Sequence, residues 1–444
     1  MGKELKTANG AIARVKTGDR AAVVGAGLSG LAAARLLRAL GVKTRLLDRK
    51  PSLSEESLTQ IRAIGADLIC GEHKPEYFKD ADLVVISPGV PYGPLAELLA
   101  QAGNPPLIGE TELALPYVQA PILAFTGTSG KTTTVSLAAA MLEQAGRKVF
   151  LGGNIGTPLS DYVLAPEQAN VLVLELSSFQ LQGIDSLRPA VACILNLAAN
   201  HLDQHRDMEE YRAAKFSIFT GQTEKDLALL PPDLVPEYRK DGFRARLEIL
   251  RPTRRFPKTR LIGLHNAANA EAAFLAVQSQ GVSEADAARA VAAFRPLPHR
   301  LENLGEKDGI LYVNDSKSTT VDALRAALES FDAPLLLLAG GRFKGGDLQS
   351  LRPLIQEKVK AVALFGAGRE VFSEAFAGIV PLSWDPELPP ALRRLEAMAR
   401  AGEVILLSPA TASFDLYRNY KERGDHFRRL AQGEYKENEN GPRG

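Results

Sequence analysis

Two cysteines, Cys70 and Cys193, are all that 444 residues contain. Each lies inside an apolar stretch, so both read as buried thiols in a reducing compartment; they are too few for a disulfide framework or a cysteine metal cluster. Charge of one sign is scarce as well. Lys and Arg number 53 against 52 Asp and Glu, a formal net charge of +1, which argues against nucleic acid or an anionic membrane as the main partner. No apolar run approaches the ~18 residues of a membrane span. Residues 1–19 carry lysines but lack the apolar core of a signal peptide. These absences leave a soluble cytoplasmic protein as the expectation. At ~150 residues per domain the length implies about three domains, and 45% hydrophobic with 24% charged residues is the ordinary balance of globular cores.

Strand-like runs alternate with amphipathic helical segments almost throughout, the pattern of parallel α/β sheets. The first block holds Ala21-Ala22-Val23-Val24, a helix over residues 28–40, Thr44-Arg45-Leu46-Leu47 and Asp82-Leu83-Val84-Val85-Ile86. The second includes Val171-Leu172-Val173-Leu174 and then a Pro- and Arg-rich stretch. There the alternation Arg244-Ala245-Arg246-Leu247-Glu248-Ile249 suggests exposed antiparallel strands. Arg295-Pro296-Leu297-Pro298 marks a linker, since two prolines forbid a continuous helix. Strands are expected beyond it over residues 309–313, 335–338, 361–365 and 404–407, and residues 434–444 read as a disordered tail.

The sharpest motif is Thr126-Gly127-Thr128-Ser129-Gly130-Lys131-Thr132, set between an apolar run and a helical pattern. Glycines let backbone N–H groups approach phosphate oxygens, the helix N-terminus adds its dipole, Lys131 adds a point charge and Thr132 offers a hydroxyl to Mg²⁺. Phe125 stands where the full phosphate-loop pattern has its first glycine. ATP is the expected ligand. A second glycine turn, Gly25-Ala26-Gly27-Leu28-Ser29-Gly30, follows the first strand, with Asp48 eighteen residues beyond Gly30. Alone this is a dinucleotide fingerprint and invites a dehydrogenase reading. A dehydrogenase has no need of a separate ATP loop, so the turn specifies a nucleotide-binding geometry and leaves the ligand open.

Glu175 ends a strand expected beside the phosphate loop, where Mg²⁺–ATP needs a carboxylate, and His201 follows the next strand. Spacing alone makes Lys215 a solvated helix residue. Three polar loops, Asn314-Asp315-Ser316-Lys317-Ser318-Thr319-Thr320, Gly340 through Asp347 and Ser408 through Asp415, close later strands. Together they imply a crevice for a small polar substrate.

These motifs, in this order, resemble the Mur ligase family of peptidoglycan synthesis, over nearly the whole chain. Besides those quoted, the signature elements are Gly153-Asn154-Ile155-Gly156, Asn200-His201-Leu202-Asp203-Gln204-His205, the run from Tyr211 to Lys215, His265-Asn266-Ala267-Ala268-Asn269 and Pro298-His299-Arg300. The Asp-Asn-Pro-Arg tetrapeptide usual in the diaminopimelate- or lysine-adding relatives is missing. The resemblance implies an α/β protein of three domains: a Rossmann-like UDP-sugar domain (1–118), a central P-loop ATPase-like domain (119–296) and a Rossmann-like amino-acid domain (297–444). It implies an ATP-dependent ligase acting through an acyl phosphate, with UDP-N-acetylmuramoyl-L-alanine and D-glutamate as substrates. The protein would be a cytoplasmic monomer of cell-wall biogenesis, cell shape and division. Folylpolyglutamate-type ligases are the nearest alternative, and they lack the first glycine turn. A non-catalytic nucleotide sensor is the alternative from another class.

Carried over by residue, the resemblance puts the UDP-sugar against Leu28, Ser29, Asp48, Arg49, Ser87, Gly89 and Asn154. ATP would meet Gly127, Thr128, Ser129, Gly130, Lys131, Thr132 and Thr133, with Asn266, Asn269, Arg300 and Asp315. Thr132 and Glu175 would hold one Mg²⁺, His201 and a carbamylated Lys215 a second. Thr319, Lys344, Ser413, Phe414 and Tyr420 would hold the amino acid, and Lys131, His201, Lys215 and Lys317 would serve catalysis. Three departures stand out. Ser129 and Asn200 occupy places where the family usually has Asn and often Asp, and Phe343 replaces a common Asp, which makes the amino-acid pocket the least determined part.

Overall fold

The computed structural model describes residues 15–198, 205–296 and 298–434. Asn200, His201 and the tail beyond residue 434 lie outside that range. Three sheets follow one another along the chain. The first contains β1 (Arg20–Val24), β2 (Lys43–Asp48), β3 (Asp67–Cys70), β4 (Leu83–Ile86) and β5 (Leu107–Gly109), all parallel in the order β3-β2-β1-β4-β5. The second contains β6 (Ile122–Thr126), β7 (Val149–Gly153), β8 (Val171–Glu175), β9 (Val191–Ile194), β10 (Leu227–Leu230) and β11 (Arg246–Ile249), in the order β11-β10-β9-β6-β8-β7. The third contains β12 (Glu302–Lys307), β13 (Ile310–Asn314), β14 (Leu335–Gly340), β15 (Val359–Phe365), β16 (Leu382–Asp385) and β17 (Val404–Leu407), in the order β12-β13-β17-β14-β15-β16, with only β12 antiparallel.

Central strands such as β9 (Val-Ala-Cys-Ile) and β14 (Leu-Leu-Leu-Leu-Ala-Gly) are buried along their length. That is why they are apolar without alternation: helices cover both faces of a parallel sheet. Cys193 is fully buried within β9, and burial raises its thiol pKa, whereas Cys70 is only half-buried. The expectation of two buried thiols therefore holds for one. The Arg244–Ile249 region does not pair antiparallel. β11 runs parallel to β10, Leu227 opposite Arg246, because the helix Val235–Lys240 lies between the two strands and returns the chain in the same direction. Its exposure was read correctly, since Arg246, Glu248 and Ile249 face solvent.

The described chain divides into two compact units, one holding the residues up to Arg251 with Asn269–Ala290, the other Pro252–Ala268 with the residues from Val291 on. In the first unit one apolar cluster runs without interruption from Val23 and Leu36 of the first sheet's layers to Ile122 and Leu172 of the second. Polar fasteners join the same two layers. Arg35 makes a two-pronged pair with Asp161 at 2.8 Å, the Ser160 N–H donates to Glu110 Oε1 at 2.6 Å, and the Asp185 and Ser186 N–H groups donate to Glu112 Oε2 at 3.0 Å. In the second unit the two faces of the third sheet carry separate apolar clusters around Leu337 and Leu338. No helix among the described residues is long and apolar enough to cross a membrane.

Candidate active site

The phosphate-loop motif folds as its composition requires. β6 ends at Thr126, Gly127 and Gly130 take φ of 152° and 83°, and the helix Lys131–Gln144 begins at once. Gly130 is obligatory twice over: its backbone is left-handed, and a Cβ there would collide with Asn269 Oδ1. The segment after β9 pins the loop. The Thr128 N–H donates to Asn196 O at 3.1 Å, while the Asn196 side chain accepts from the Ser129 N–H at 2.9 Å and donates to Ser129 O at 3.1 Å. Ser129 thus binds through its backbone and leaves its side chain exposed, so the departure from Asn does not disturb the loop's anchoring.

Two lysines converge on one carbonyl. Lys131 Nζ donates to Gly127 O at 2.8 Å and to Thr128 O at 3.1 Å; Lys215 Nζ donates to the same Gly127 O at 3.0 Å and to Thr126 Oγ1 at 3.2 Å. Lys215 is 2% exposed and lies 4.7 Å from the centre of the Tyr211 ring. Burial, with the Lys131 charge adding to it and Glu175 opposing, pushes its pKa down to about 7. A neutral amine is therefore available near physiological pH. Glu175 ends β8 with Phe125 of β6 opposite it. Its Oε1 accepts from Asn154 Nδ2 at 2.9 Å, and its buried Oε2 has no hydrogen-bond partner.

A cavity of about 680 Å³ opens between the carboxyl ends of the first sheet and the segment after β7. Leu28, Ser29, Asp48, Arg49, Ser87, Gly89 and Asn154, the seven residues assigned from sequence to a UDP-sugar, all line it. It lies across the point where strand order reverses, between β1 and β4. Asp48 is also structural: its Oδ2 accepts from the Ala26 N–H at 2.8 Å and its Oδ1 from the Lys50 N–H at 2.9 Å, tying the glycine turn to the end of β2. Ser87 Oγ donates to Gly25 O at 3.1 Å across the same turn.

In the second unit the loops after β13, β17 and β14 leave the carboxyl ends of three adjacent parallel strands. Lys317 Nζ lies 4.1 Å from the centre of the Tyr420 ring, and Ser413 is buried. Thr319 is half-buried, Lys344 exposed and Phe414 67% exposed; no hydrogen bond or ring contact among the described residues joins these three to Lys317. Phe343 packs edge-on against Phe372, 6.0 Å between centroids, so an aromatic fits where the family commonly has Asp. Asp315 accepts from the Leu301 N–H at 3.2 Å and from Ser408 Oγ at 2.9 Å; burial raises its pKa to about 7. Arg300 sits between His299 (φ 66°) and Leu301 (φ 40°), both in the left-handed region. Asn266, one of the two helix asparagines, donates through Nδ2 to Ile262 O at 2.7 Å.

Sequence reasoning assigned no role to Arg423. It is wholly buried and binds the loops after β13 and β17: Nε and an Nη reach Ser316 Oγ and O at 3.0 and 2.8 Å, and Thr411 O and Oγ1 accept at 3.1 and 3.3 Å.

No group of three or more His, Cys, Asp or Glu gathers as a metal site among the described residues. One Mg²⁺ nevertheless fits the donors present. The ion keeps waters and substrate phosphates as ligands and needs one or two protein oxygens, and Glu175 Oε2 is a buried acceptor with no partner beside the phosphate loop. The proposed second ion depends on His201, which lies outside the described residues.

The chain matches Mur ligase MurD-like, N-terminal domain over residues 19–105, Mur ligase middle domain over 125–246 and Mur ligase, glutamate ligase domain over 299–411. A UDP-N-acetylmuramoylalanine–D-glutamate ligase of Nitratidesulfovibrio vulgaris is 54% identical over 93% of this chain and 96% of its own, and one of Syntrophus aciditrophicus is 37% identical over 93% and 97%. Among solved structures, MurF ligase from Thermotoga maritima in complex with ADP superposes with a TM-score of 0.57 at 17% identity, over 95% of this chain and 96% of that one. At that identity the likeness speaks for the fold. With three family domains in chain order and more than half of all positions shared with a full-length relative, the chain belongs to the Mur ligase family.

Proposed function

We propose that this protein joins D-glutamate to UDP-N-acetylmuramoyl-L-alanine at the expense of ATP, using three functional domains at 1–118, 119–296 and 297–444. One observation carries the reading. Asn154 lines the nucleotide cavity and also donates to Glu175 beside the phosphate loop, which supports a UDP-sugar lying in the cavity with its far end toward ATP. The relatives' names supply the amino acid.

A carboxylate is a poor electrophile, and the ATP step remedies that. The terminal carboxylate of the UDP-sugar attacks the γ-phosphorus, the bond to ADP breaks, and an acyl phosphate forms. The glutamate amine then adds to the acyl carbon, loses a proton, and phosphate leaves. Lys131 neutralises the phosphate oxygens while two anions approach. Thr132 and Glu175 would hold Mg²⁺, which supplies further charge neutralisation at the phosphates. In its neutral form Lys215 can attack CO₂, forming an N–C bond and releasing a proton to give a carbamate; this turns a cation into an anion suited, with His201, to a second ion. Asn266, Asn269, Arg300 and Asp315 would bracket ATP. Lys317, Thr319, Lys344, Ser413, Phe414 and Tyr420 would receive the amino acid.

The test is ATP-dependent phosphate release with UDP-N-acetylmuramoyl-L-alanine and, in turn, D-glutamate, L-glutamate, L-lysine or no amino acid. Release with D-glutamate alone is expected, and Lys131→Ala should reduce it by ~10²–10³-fold. Release with a different amino acid would move the substrate. Silence with all of them would overturn the reading.

A further inference from the structure

The nucleotide cavity has one wall that no motif accounts for. His73 lies past the end of β3, the edge strand beside β2, and its ring borders the cavity near Asp48 and Arg49. It is 7% exposed, and its Nε2 is buried with no hydrogen-bond partner. Such an atom forgoes the hydrogen bond that water would give it, and at a cavity wall a ligand's polar edge is one partner that would satisfy the ring. Phe78 holds the ring edge-on, 6.5 Å between centroids, which fixes where the imidazole stands.

Sheet order says which part of a ligand arrives there. The glycine turn follows β1, and the start of the helix Leu28–Ala39 there is the diphosphate position of such folds; the acidic residue ending β2 marks the ribose. One strand further from the turn is β3, with His73 past its end. Moving from the glycine turn past Asp48 to His73 therefore passes from diphosphate through ribose to the base. Burial, with the Arg49 charge adding to it, lowers the His73 pKa below its ordinary 6.5, against the pull of Asp48. The ring is thus neutral at pH 7, suited to the uncharged edge of a base and unsuited to pairing with phosphate.

We propose that His73 is a specificity-determining residue of the nucleotide cavity, hydrogen-bonding the pyrimidine base of the UDP-sugar. This rests on the function proposed above. His73→Phe keeps a ring against Phe78 and removes both nitrogens; His73→Gln keeps a donor and an acceptor. UMP and ribose 5-phosphate are compared as competitive inhibitors against the UDP-sugar, at saturating ATP and D-glutamate. Loss of one neutral hydrogen bond should weaken UMP by ~3–10-fold in His73→Phe, with ribose 5-phosphate unchanged and His73→Gln close to wild type. If His73→Phe inhibits as wild type does, or if UMP and ribose 5-phosphate weaken together, the ring only packs and the proposal is wrong. Equal weakening in both variants also overturns it. Absence of wild-type turnover with the UDP-sugar would instead remove the functional reading, and this proposal with it.

Discussion

Lys215→Met should make the protein more stable while making it inactive. The interval between the ordinary lysine value of 10.5 and about 7 in the folded chain corresponds to roughly 5 kcal/mol of folding free energy, withheld as long as the amine must be protonated. Below pH 7 both folded and unfolded chains hold the proton, and the whole penalty applies. Between pH 7 and 10.5 the folded chain has released it and the unfolded chain has not, so wild-type stability climbs with pH; above 10.5 nothing remains to recover. Methionine has similar reach and no charge. Its substitution forfeits the bonds to Thr126 Oγ1 and Gly127 O, about 1 kcal/mol each, although Gly127 O keeps Lys131. The net expectation is a gain of roughly 3 kcal/mol at pH 7, turning into a loss of about 1–2 kcal/mol near pH 10. Urea denaturation in CO₂-free buffer without ligands measures it. With a slope of ~3 kcal/mol/M for a unit of this size, the midpoint should rise by about 1 M at pH 7 and fall below wild type at pH 10. A variant destabilised equally at both pH values would refute the reasoning, because the amine would then carry no electrostatic burden for function to exploit.

Gly130→Ala forces a Cβ into a left-handed position at φ 83° and against Asn269 Oδ1; the backbone alone costs ~1–2 kcal/mol, so a lower melting temperature and a KM for ATP raised about tenfold are expected, and an unchanged ATP titration would contradict the packing. Arg423→Met strips donors from Ser316 and Thr411 within a closed interior. A loss of ~3–5 kcal/mol is expected, with amide exchange faster in residues 315–319 and 408–413 and the KM for D-glutamate raised more than that for the UDP-sugar. Uniform KM changes would deny the loops this shared anchor.

What the sequence disclosed were features whose cause is local. A glycine turn between an apolar strand and a helix encodes its own backbone shape, which is why the phosphate loop and the Gly25–Gly30 turn sit as read, and why Asp48 and Glu175 end β2 and β8. Parallel strands buried on both faces advertise themselves by unbroken apolarity, as β9 and β14 do. β12 gives no such signal. Glu-Asn-Leu-Gly-Glu-Lys is an exposed edge strand, defined by pairing with β13 and by nothing in its own composition. β11 shows the converse error, since alternation reports a solvent face and carries no information on the direction of a neighbour.

The site's chemistry was the harder part because it arises from burial, and burial is a property of the assembled chain. Lys215 occupies an ordinary position in Tyr-Arg-Ala-Ala-Lys-Phe, and only burial in the assembled chain, with the Lys131 charge adding to it, brings its pKa down to about 7. Asp315 likewise becomes a carboxyl with a pKa near 7 through enclosure, although two hydrogen bonds favour its charged form. Arg423, with a pKa lowered to about 10 by the same desolvation, is a cation kept in the interior by carbonyls and hydroxyls. Each group is costly to bury. The fold absorbs that cost through backbone carbonyls fixed by turns, such as Gly127 O and Thr411 O, whose positions the local sequence does determine. The legible turns thus create the sites that perturb the illegible side chains. A substitution that leaves a motif's letters intact but loosens its turn should therefore shift the neighbouring pKa before it unfolds the chain.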